Sequence, residues 1–153
     1  MITEAATALA GEENLFWPLV RNARVCYRLD LAILTPSNNT LRGMHYMAYR
    51  KLRRAWASEI LVALNMRLPS RPIAQALLEV HRYSSGELDW DNALGGLKVV
   101  QDCLVRQTSR NPDGLGLIVD DCPKYMPEPP YMRQLEARRN QGRSHIFIYE
   151  LLG

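Results

Sequence analysis

The chain has 153 residues, of which 47% are hydrophobic, so it is long enough to bury a core and short for two domains. Its three cysteines are odd in number and lack zinc spacing, which argues against a disulfide framework or zinc site and favours a reducing, cytoplasmic location. No basic-then-apolar leader and no run of about 18 apolar residues occurs, so we expect neither a secretion signal nor a membrane contact.

The first half of the chain predicts two strands separated by a helix. Apolar and polar side chains alternate over residues 25–34, which is typical of a strand with one buried face. Over residues 45–64, apolar side chains recur at every third or fourth position, which predicts an amphipathic helix. Residues 76–83 predict a second strand with a weaker pattern. Residues 1–24 precede the first strand and are interpreted as an N-terminal extension.

A second helix is predicted over residues 92–105, and its first turn contains two glycines. Gly95 and Gly96 each cost about 1 kcal/mol relative to alanine inside a helix. Glycine is nevertheless used in a helix where another group approaches the backbone so closely that a side chain would not fit. We therefore expect a close contact at this pair.

The last part of the chain predicts two more strands around a loop. Residues 116–119 form a short apolar strand, residues 122–131 a proline-rich loop, and residues 145–152 the final strand. Together these elements predict an α+β fold. It is a small single domain over residues 25–153, with a mixed sheet of about four strands flanked by two main helices.

Two pairs of aspartates each follow a short apolar run. Asp89 and Asp91 follow the second predicted strand, and Asp120 and Asp121 end the third. If these strands are parallel neighbours joined by a right-handed crossover, all four carboxylates meet in one crevice. Two such charges ~4 Å apart repel by ~4 kcal/mol at an effective dielectric of about 20. The cluster therefore predicts a bound divalent cation, for which carboxylate oxygens are the preferred ligands.

Each of these charged residues also has a purely structural interpretation. Lys98 shares one face of the predicted helix with Asp91 and Asp102. Its amine could offset charge on a reacting phosphate, or it could only form an ion pair with Asp102 on a solvated surface. Asp91 could cap the helix, and Asp120 and Asp121 could begin a turn.

Basic side chains are concentrated in two blocks. The first lies on the polar side of the helix predicted over residues 45–64, and the second precedes the final strand. Both blocks could be ordinary solvated surface, or they could contact the phosphates of a polyanion. The candidate DNA contacts are Arg50, Lys51, Arg53, Arg54, Arg138, Arg139 and Arg143.

The order of these motifs resembles the RusA-type family of Holliday junction resolvases, which are small prophage endonucleases. The stretches GELDWDNALGGLKVVQDCLV and GLIVDDCPKYM carry the resemblance, which extends over roughly residues 29–150. The basic helix, the DxDN motif, the lysine, the Asp-Asp pair and the final strand occur in the family's order. This combination is more specific than any single motif, and it implies a RusA-like endonuclease domain.

The resemblance also implies roles for particular residues. The family's metal ligands correspond to Asp89, Asp91 and Asp121, with Asp120 as an adjoining acid, and its catalytic lysine corresponds to Lys98. Lys98 follows Asp91 by about three residues more than in the simplest family pattern, which is close to one helical turn. The catalytic assignment is therefore Asp89, Asp91, Asp121 and Lys98.

The implied activity is magnesium-dependent resolution of four-way DNA junctions, with manganese as a possible substitute. Paired phosphodiester hydrolysis in branched double-stranded DNA would serve recombination and repair, and two matched cuts imply a two-fold homodimer. One alternative is a non-catalytic DNA-binding or phage regulatory protein on the same fold. Another is a nucleotidyl or glycosyl transferase that uses the DxD motif, although the chain lacks a Gly-rich phosphate loop.

Overall fold

Four strands form one mixed sheet in the computed structural model, which describes residues 16–153. The strands are β1 (Ala23–Leu31), β2 (Ala76–Ser84), β3 (Tyr131–Glu136) and β4 (Arg143–Leu151). The sheet order is β1-β4-β2-β3, with β4 antiparallel to both β1 and β2 and with β3 parallel to β2. The predicted small single α+β domain with a mixed four-stranded sheet is confirmed.

One long helix dominates the helical part of the described chain. The helices are α1 (Phe16–Val20), α2 (Asn38–Arg42), α3 (Tyr46–Ala63), α4 (Trp90–Gly95) and α5 (Lys98–Leu104). His45 caps α3, because its Nδ1 accepts a hydrogen bond from the Met47 amide at 3.2 Å. The predicted amphipathic helix over residues 45–64 is thus confirmed. Within residues 16–153, no helix combines the length and apolar character that crossing a membrane requires.

The sheet buries a different hydrophobic cluster on each face. The main core lies between the sheet and helices α3 and α5, and it includes Trp56 and Ile148, both without exposed surface. A smaller cluster on the other face joins Phe16 of α1 to Tyr131, with their ring centroids 5.2 Å apart. The described end of the predicted N-terminal extension therefore packs against the sheet. Residues 1–15 lie outside the described part of the chain.

Residues 116–119 do not form a strand of the sheet, so the prediction of a strand there is wrong. Ile118 forms only an isolated parallel bridge with Ile73, which precedes β2. Its apolar character reflects burial, since Ile118 is 1% exposed, and periodicity alone does not separate buried loop from strand. The strand that runs parallel to β2 is β3, which begins at Tyr131, the last residue of the predicted proline-rich loop of residues 122–131.

The helix predicted over residues 92–105 is divided into α4 and α5 at the position of the glycine pair. A Cβ at Gly96 would lie 1.8 Å from the carbonyl oxygen of Pro36, and one at Gly95 would lie 2.5 Å from Cγ of Asn38. The expected close contact is confirmed. The groups that approach the backbone belong to the loop before α2 and to the first residue of α2, so the glycines allow this segment to pack against α4.

Candidate functional site

Lys98, the first residue of α5, makes two ionic contacts. Its Nζ lies 2.9 Å from Oδ1 of Asp102, one helical turn along α5, and 3.5 Å from Oδ2 of Asp121. The first contact follows from the i, i+4 spacing, and it is the ion pair that the sequence offers as the structural alternative for Lys98. The second depends on the chain's return through residues 116–121, which no local pattern predicts. Because the Lys98 side chain is 59% exposed, its amine remains accessible to a ligand.

The two carboxylates keep the Lys98 amine charged. Partial burial lowers the pKa of this amine, but the hydrogen bond and charge of Asp102, together with those of Asp121, outweigh burial and raise the pKa overall. An ammonium group is therefore present across the neutral pH range. It can donate hydrogen bonds to an anionic group but cannot act as a base.

Asp102 is fixed by partners on three sides. Its Oδ2 accepts a short hydrogen bond from the hydroxyl of Tyr49 on α3, while its Oδ1 faces Lys98. The side-chain amide of Asn111 donates to the backbone carbonyl of Asp102 at 2.6 Å. Burial, followed by the bond to Asp102, raises the pKa of Tyr49 well above its usual range, so this hydroxyl remains a donor. The sequence predicts Tyr49 only as part of the apolar stripe of α3.

An open cavity of about 240 Å³ surrounds this group. Its lining includes Lys98, Asp102, Arg106, Asp120 and Asp121. The backbone amide of Asp121 donates to Oδ1 of Asp120 at 2.9 Å, which lowers the pKa of the Asp120 carboxyl. Three carboxylates and two cations leave one net negative charge in the cavity. Arg106, which the sequence does not single out, and Lys98 therefore offset much of the repulsion among these acids.

The predicted crevice of four carboxylates is not found, because Asp89 and Asp91 do not line this cavity. Asp89 is the N-cap residue of α4 but makes no side-chain capping bond, and Asp91 lies in the first turn. Both follow the end of β2, whereas the segment before Asp120 and Asp121 pairs with the chain before the start of β2. The segment that leads to Asp120 and Asp121 thus lies beside the chain that enters β2, whereas Asp89 and Asp91 come after β2 has ended.

The other two residues of the DWDN motif have structural contacts. Oδ1 of Asn92 accepts a hydrogen bond from the Asn39 amide at 2.8 Å, which holds α2 beside α4. Trp90 is partly buried and packs against the main core. These anchors leave Asp89 and Asp91 exposed at the start of α4.

The carboxylates do not form a complete magnesium site as they are placed. Within residues 16–153, no group of three or more His, Cys, Asp or Glu side chains is arranged to hold a metal ion. Asp121 already contacts Lys98, and Asp120 accepts the bond from its neighbour. Carboxylate oxygens are suitable ligands for Mg²⁺, but too few of them converge at any one point in the described part of the chain to bind the ion.

The predicted basic face of α3 is confirmed at three of its four positions. Arg50, Lys51 and Arg54 are exposed. Arg53 is 7% exposed, and its Nε lies 2.9 Å from Oδ2 of Asp113. Its position one helical turn after Tyr49 places it on the inner side of α3, so the prediction of Arg53 as a surface DNA contact is wrong.

The second basic block lies around the connection between β3 and β4. Arg138 and Arg139 are exposed. Arg143 begins β4, and its guanidinium carbon lies 4.1 Å from the ring centroid of Tyr83, a cation–π contact. Arg138 and Arg139 remain accessible to an anionic partner, while the ring of Tyr83 covers one face of Arg143.

Comparison with known proteins identifies no family for this chain. No family model matches it, and neither a curated protein nor a solved structure does. A function is therefore inferred from the motif order in the sequence and from the geometry around Lys98.

Proposed function

We propose that the chain is a structure-selective endodeoxyribonuclease that resolves four-way DNA junctions in recombination and repair in the cytoplasm. The contact between Lys98 Nζ and Oδ2 of Asp121, at 3.5 Å, is the main support for this proposal. It joins the two sequence stretches that carry the resemblance to the RusA-type family.

The ammonium of Lys98 supplies the chemistry that the chain itself can offer. It donates hydrogen bonds to a non-bridging phosphate oxygen and stabilises the negative charge that develops during hydrolysis. Asp102 and Tyr49 hold the amine in place from the protein side. Because the Lys98 side chain is more than half exposed, a DNA backbone can reach it without a change of fold.

Exposed basic residues would hold the DNA at this site. Arg50, Lys51 and Arg54 on α3, with Arg138 and Arg139 before β4, are available for phosphate contacts. The proposal includes a homodimer, since two matched nicks need two sites. It also retains magnesium, or manganese, as the cofactor implied by the resemblance. The resemblance names Asp89, Asp91, Asp120 and Asp121 as the acids concerned, although within residues 16–153 these four do not meet at one point.

The test is cleavage of a synthetic four-way junction by the full chain with Mg²⁺, with Mn²⁺ or with EDTA. We expect paired, symmetric nicks with 5′-phosphate and 3′-hydroxyl ends in either metal and none in EDTA. Asp91→Asn should abolish cleavage and leave junction binding measurable. Asp30→Asn is the matched control, because the Asp30 side chain is 83% exposed and lies on β1. Undiminished cleavage by Asp91→Asn, or no cleavage in any metal, would contradict the proposal.

A second candidate function is DNA binding without catalysis. It is favoured by the placement of Lys98, which already forms ion pairs with Asp102 and Asp121, and by the absence of Asp89 and Asp91 from the lining of that cavity. In this case the junction should bind equally well with Mg²⁺ and with EDTA, and no nicks should form. The same assay therefore separates the two functions.

A further inference from the structure

Arg82 on β2 is a buried arginine without an acidic partner. It is 6% exposed, and none of the ion pairs within residues 16–153 includes it. Its Nε donates to the carbonyl oxygen of Thr35 and its Nη1 to that of Gly86, both at 3.2 Å. Arg53, which is buried to a similar degree, has Asp113 at 2.9 Å. The contrast shows that this fold pairs one buried guanidinium and leaves the other uncompensated.

A buried charge without a partner of opposite charge lowers the stability of the fold, so its presence at Arg82 needs a physical explanation. Burial lowers the pKa of Arg82, yet a guanidinium stays protonated over the whole physiological pH range. Two backbone carbonyls satisfy two of its five N–H donors and carry no net charge. The other donors and the full positive charge remain available for an anion.

Arg82 lines an open cavity of about 300 Å³ between the ends of β2 and β3. Ser84, Ser85, Gly86 and Gln134 also line this Arg82 cavity, so hydroxyl and amide groups surround the cation. Such a combination of a planar guanidinium with neutral donors is suited to phosphate oxygens. Nothing in the proposed nuclease mechanism uses these residues.

Two carboxylates also belong to the lining and must be taken into account. Glu87 and Glu136 are both exposed, and neither forms an ion pair with Arg82. Exposed charges are screened by salt and their side chains can turn toward solvent. The lining thus carries one buried positive charge, on Arg82, and two exposed negative charges that can turn away from a bound anion.

The cavity is held at a fixed position next to the DWDN motif. The side-chain amide of Gln134 accepts from the Leu88 amide at 2.9 Å and donates to the Leu88 carbonyl at 2.7 Å. Leu88 lies between the cavity wall at Gly86 and the exposed acid Asp89. A ligand in the cavity would thus lie beside the segment that leads to the acids at the start of α4.

We propose that the Arg82 cavity binds a phosphate group of the nucleic acid backbone. The assignment of a phosphate follows from the buried, unpaired guanidinium and its polar surroundings. The assignment of nucleic acid as its source rests on the proposed function. Bound there, one backbone phosphate would fix the register of a DNA strand relative to Asp89 and Asp91, as phosphate contacts do in other protein–DNA complexes.

The first experiment uses inorganic phosphate and needs no nuclease activity. Amide NMR spectra of the full chain, titrated with phosphate at constant ionic strength, should show saturable shifts at Ser84, Ser85 and Gly86. Arg82→Gln should weaken this binding by about tenfold or more, as expected for loss of a charge-assisted hydrogen bond. Arg71→Gln, a change at an exposed arginine, should leave the binding unchanged. Equal phosphate affinity in Arg82→Gln, or shifts confined to other residues, would overturn the site.

Ser85→Asp keeps the inference testable if Arg82→Gln does not fold. Ser85 is exposed at the cavity, so an aspartate there should fold and place a competing carboxylate near the guanidinium. Phosphate binding by Ser85→Asp should fall by about tenfold, in line with the loss of a charge-assisted contact. Undiminished binding in this variant would also overturn the site.

The second experiment replaces phosphate with duplex and four-way junction DNA and measures binding at fixed salt. Weaker binding of both DNAs by Ser85→Asp, with wild-type affinity in Arg71→Gln, supports a backbone phosphate as the ligand. If inorganic phosphate binds and DNA affinity is unchanged, the nucleic acid source is wrong and the ligand is a free phosphate. Phosphate binding without junction cleavage would remove the proposed nuclease function while leaving the anion site in place.

Discussion

Lys98 and Asp121 lie 3.5 Å apart although one begins helix α5 and the other follows a loop that returns from its far end. Asp102 completes the arrangement at 2.9 Å from the same amine. The lysine is therefore shared between a local partner and a distant one. The charge of Lys98 lies at the contact between the two sequence stretches that carry the family resemblance. Lys98 is therefore the most informative residue to mutate.

Replacement of Lys98 by methionine keeps most of the side-chain volume and removes the charge. We expect junction cleavage to fall by about 10²-fold or more, since a preorganised cation near the reacting phosphate is lost, while junction binding changes little. Single-turnover cleavage at saturating protein measures the effect. Lys124→Met is the control, because Lys124 is exposed and does not line the Lys98 cavity. If Lys98→Met cleaves at the wild-type rate, the lysine is only part of a surface ion pair.

Tyr49 and Tyr46 allow a matched test of the hydrogen bond to Asp102. Tyr49→Phe removes a donor from a partly buried carboxylate, and we expect the free energy of unfolding to fall by about 1.5–3 kcal/mol. Tyr46 lies on the same helix and is 64% exposed, so Tyr46→Phe should change the free energy of unfolding by less than about 0.5 kcal/mol. Urea denaturation provides both values. Equal stability of the two variants would show that the Tyr49 bond has no net effect.

Arg53 and Arg54, which are neighbours on α3, should differ in how much they contribute to stability. Arg53→Met leaves Asp113 without its buried partner, and we expect a loss of about 3–5 kcal/mol in the free energy of unfolding. Arg54→Met should leave stability within about 0.5 kcal/mol of wild type, because Arg54 is exposed.

Arg54, which contributes little to stability, is instead expected to contribute to DNA binding. Arg54→Met is expected to reduce the salt dependence of junction binding by about one unit of slope, as for the loss of one phosphate contact. Fluorescence anisotropy over a series of salt concentrations measures the slope. An unchanged slope for Arg54→Met would remove this residue from the DNA contacts.

The break between α4 and α5 predicts the cost of a side chain at Gly96. Because the added Cβ would lie 1.8 Å from a backbone oxygen of Pro36, Gly96→Ala must displace the loop, and we expect a loss of about 3 kcal/mol or more. Gly86→Ala, whose Cβ would meet nothing within 4 Å, should be nearly neutral. Thermal unfolding of both variants is sufficient. A stable Gly96→Ala protein would mean that the loop packs less closely against α4.

The elements that the sequence predicts well are those whose periodicity extends over several turns or residues. Helix α3 follows from its apolar spacing, and Leu29 and Leu31 of β1 face the core as the alternation predicts. Strand β3 is missed because the prolines at 129 and 130 mark a loop, and the strand after them is short. The parallel partner of β2 depends on tertiary pairing, which no local pattern contains.

The candidate site is predicted in part for the same reason. The ion pair between Lys98 and Asp102 follows from helical spacing, whereas the approach of Asp121 and the Tyr49 bond depend on how separate segments pack. The expected meeting of all four aspartates fails because it required two strands to be neighbours. Arg82 carries no motif at all, and only its burial without an acidic partner draws attention to it.

Strand β4 is the last strand in chain order, yet it lies between β1 and β2 and supplies the partner of both. During synthesis, β1 and β2 therefore leave the ribosome before β4, and they cannot be joined into one sheet until residues 143–151 are available. Contacts of such long sequence separation slow folding and expose unpaired strand edges in the meantime. Nascent chains arrested before β4 should accordingly be protease-sensitive, and they should become resistant only once this strand has emerged.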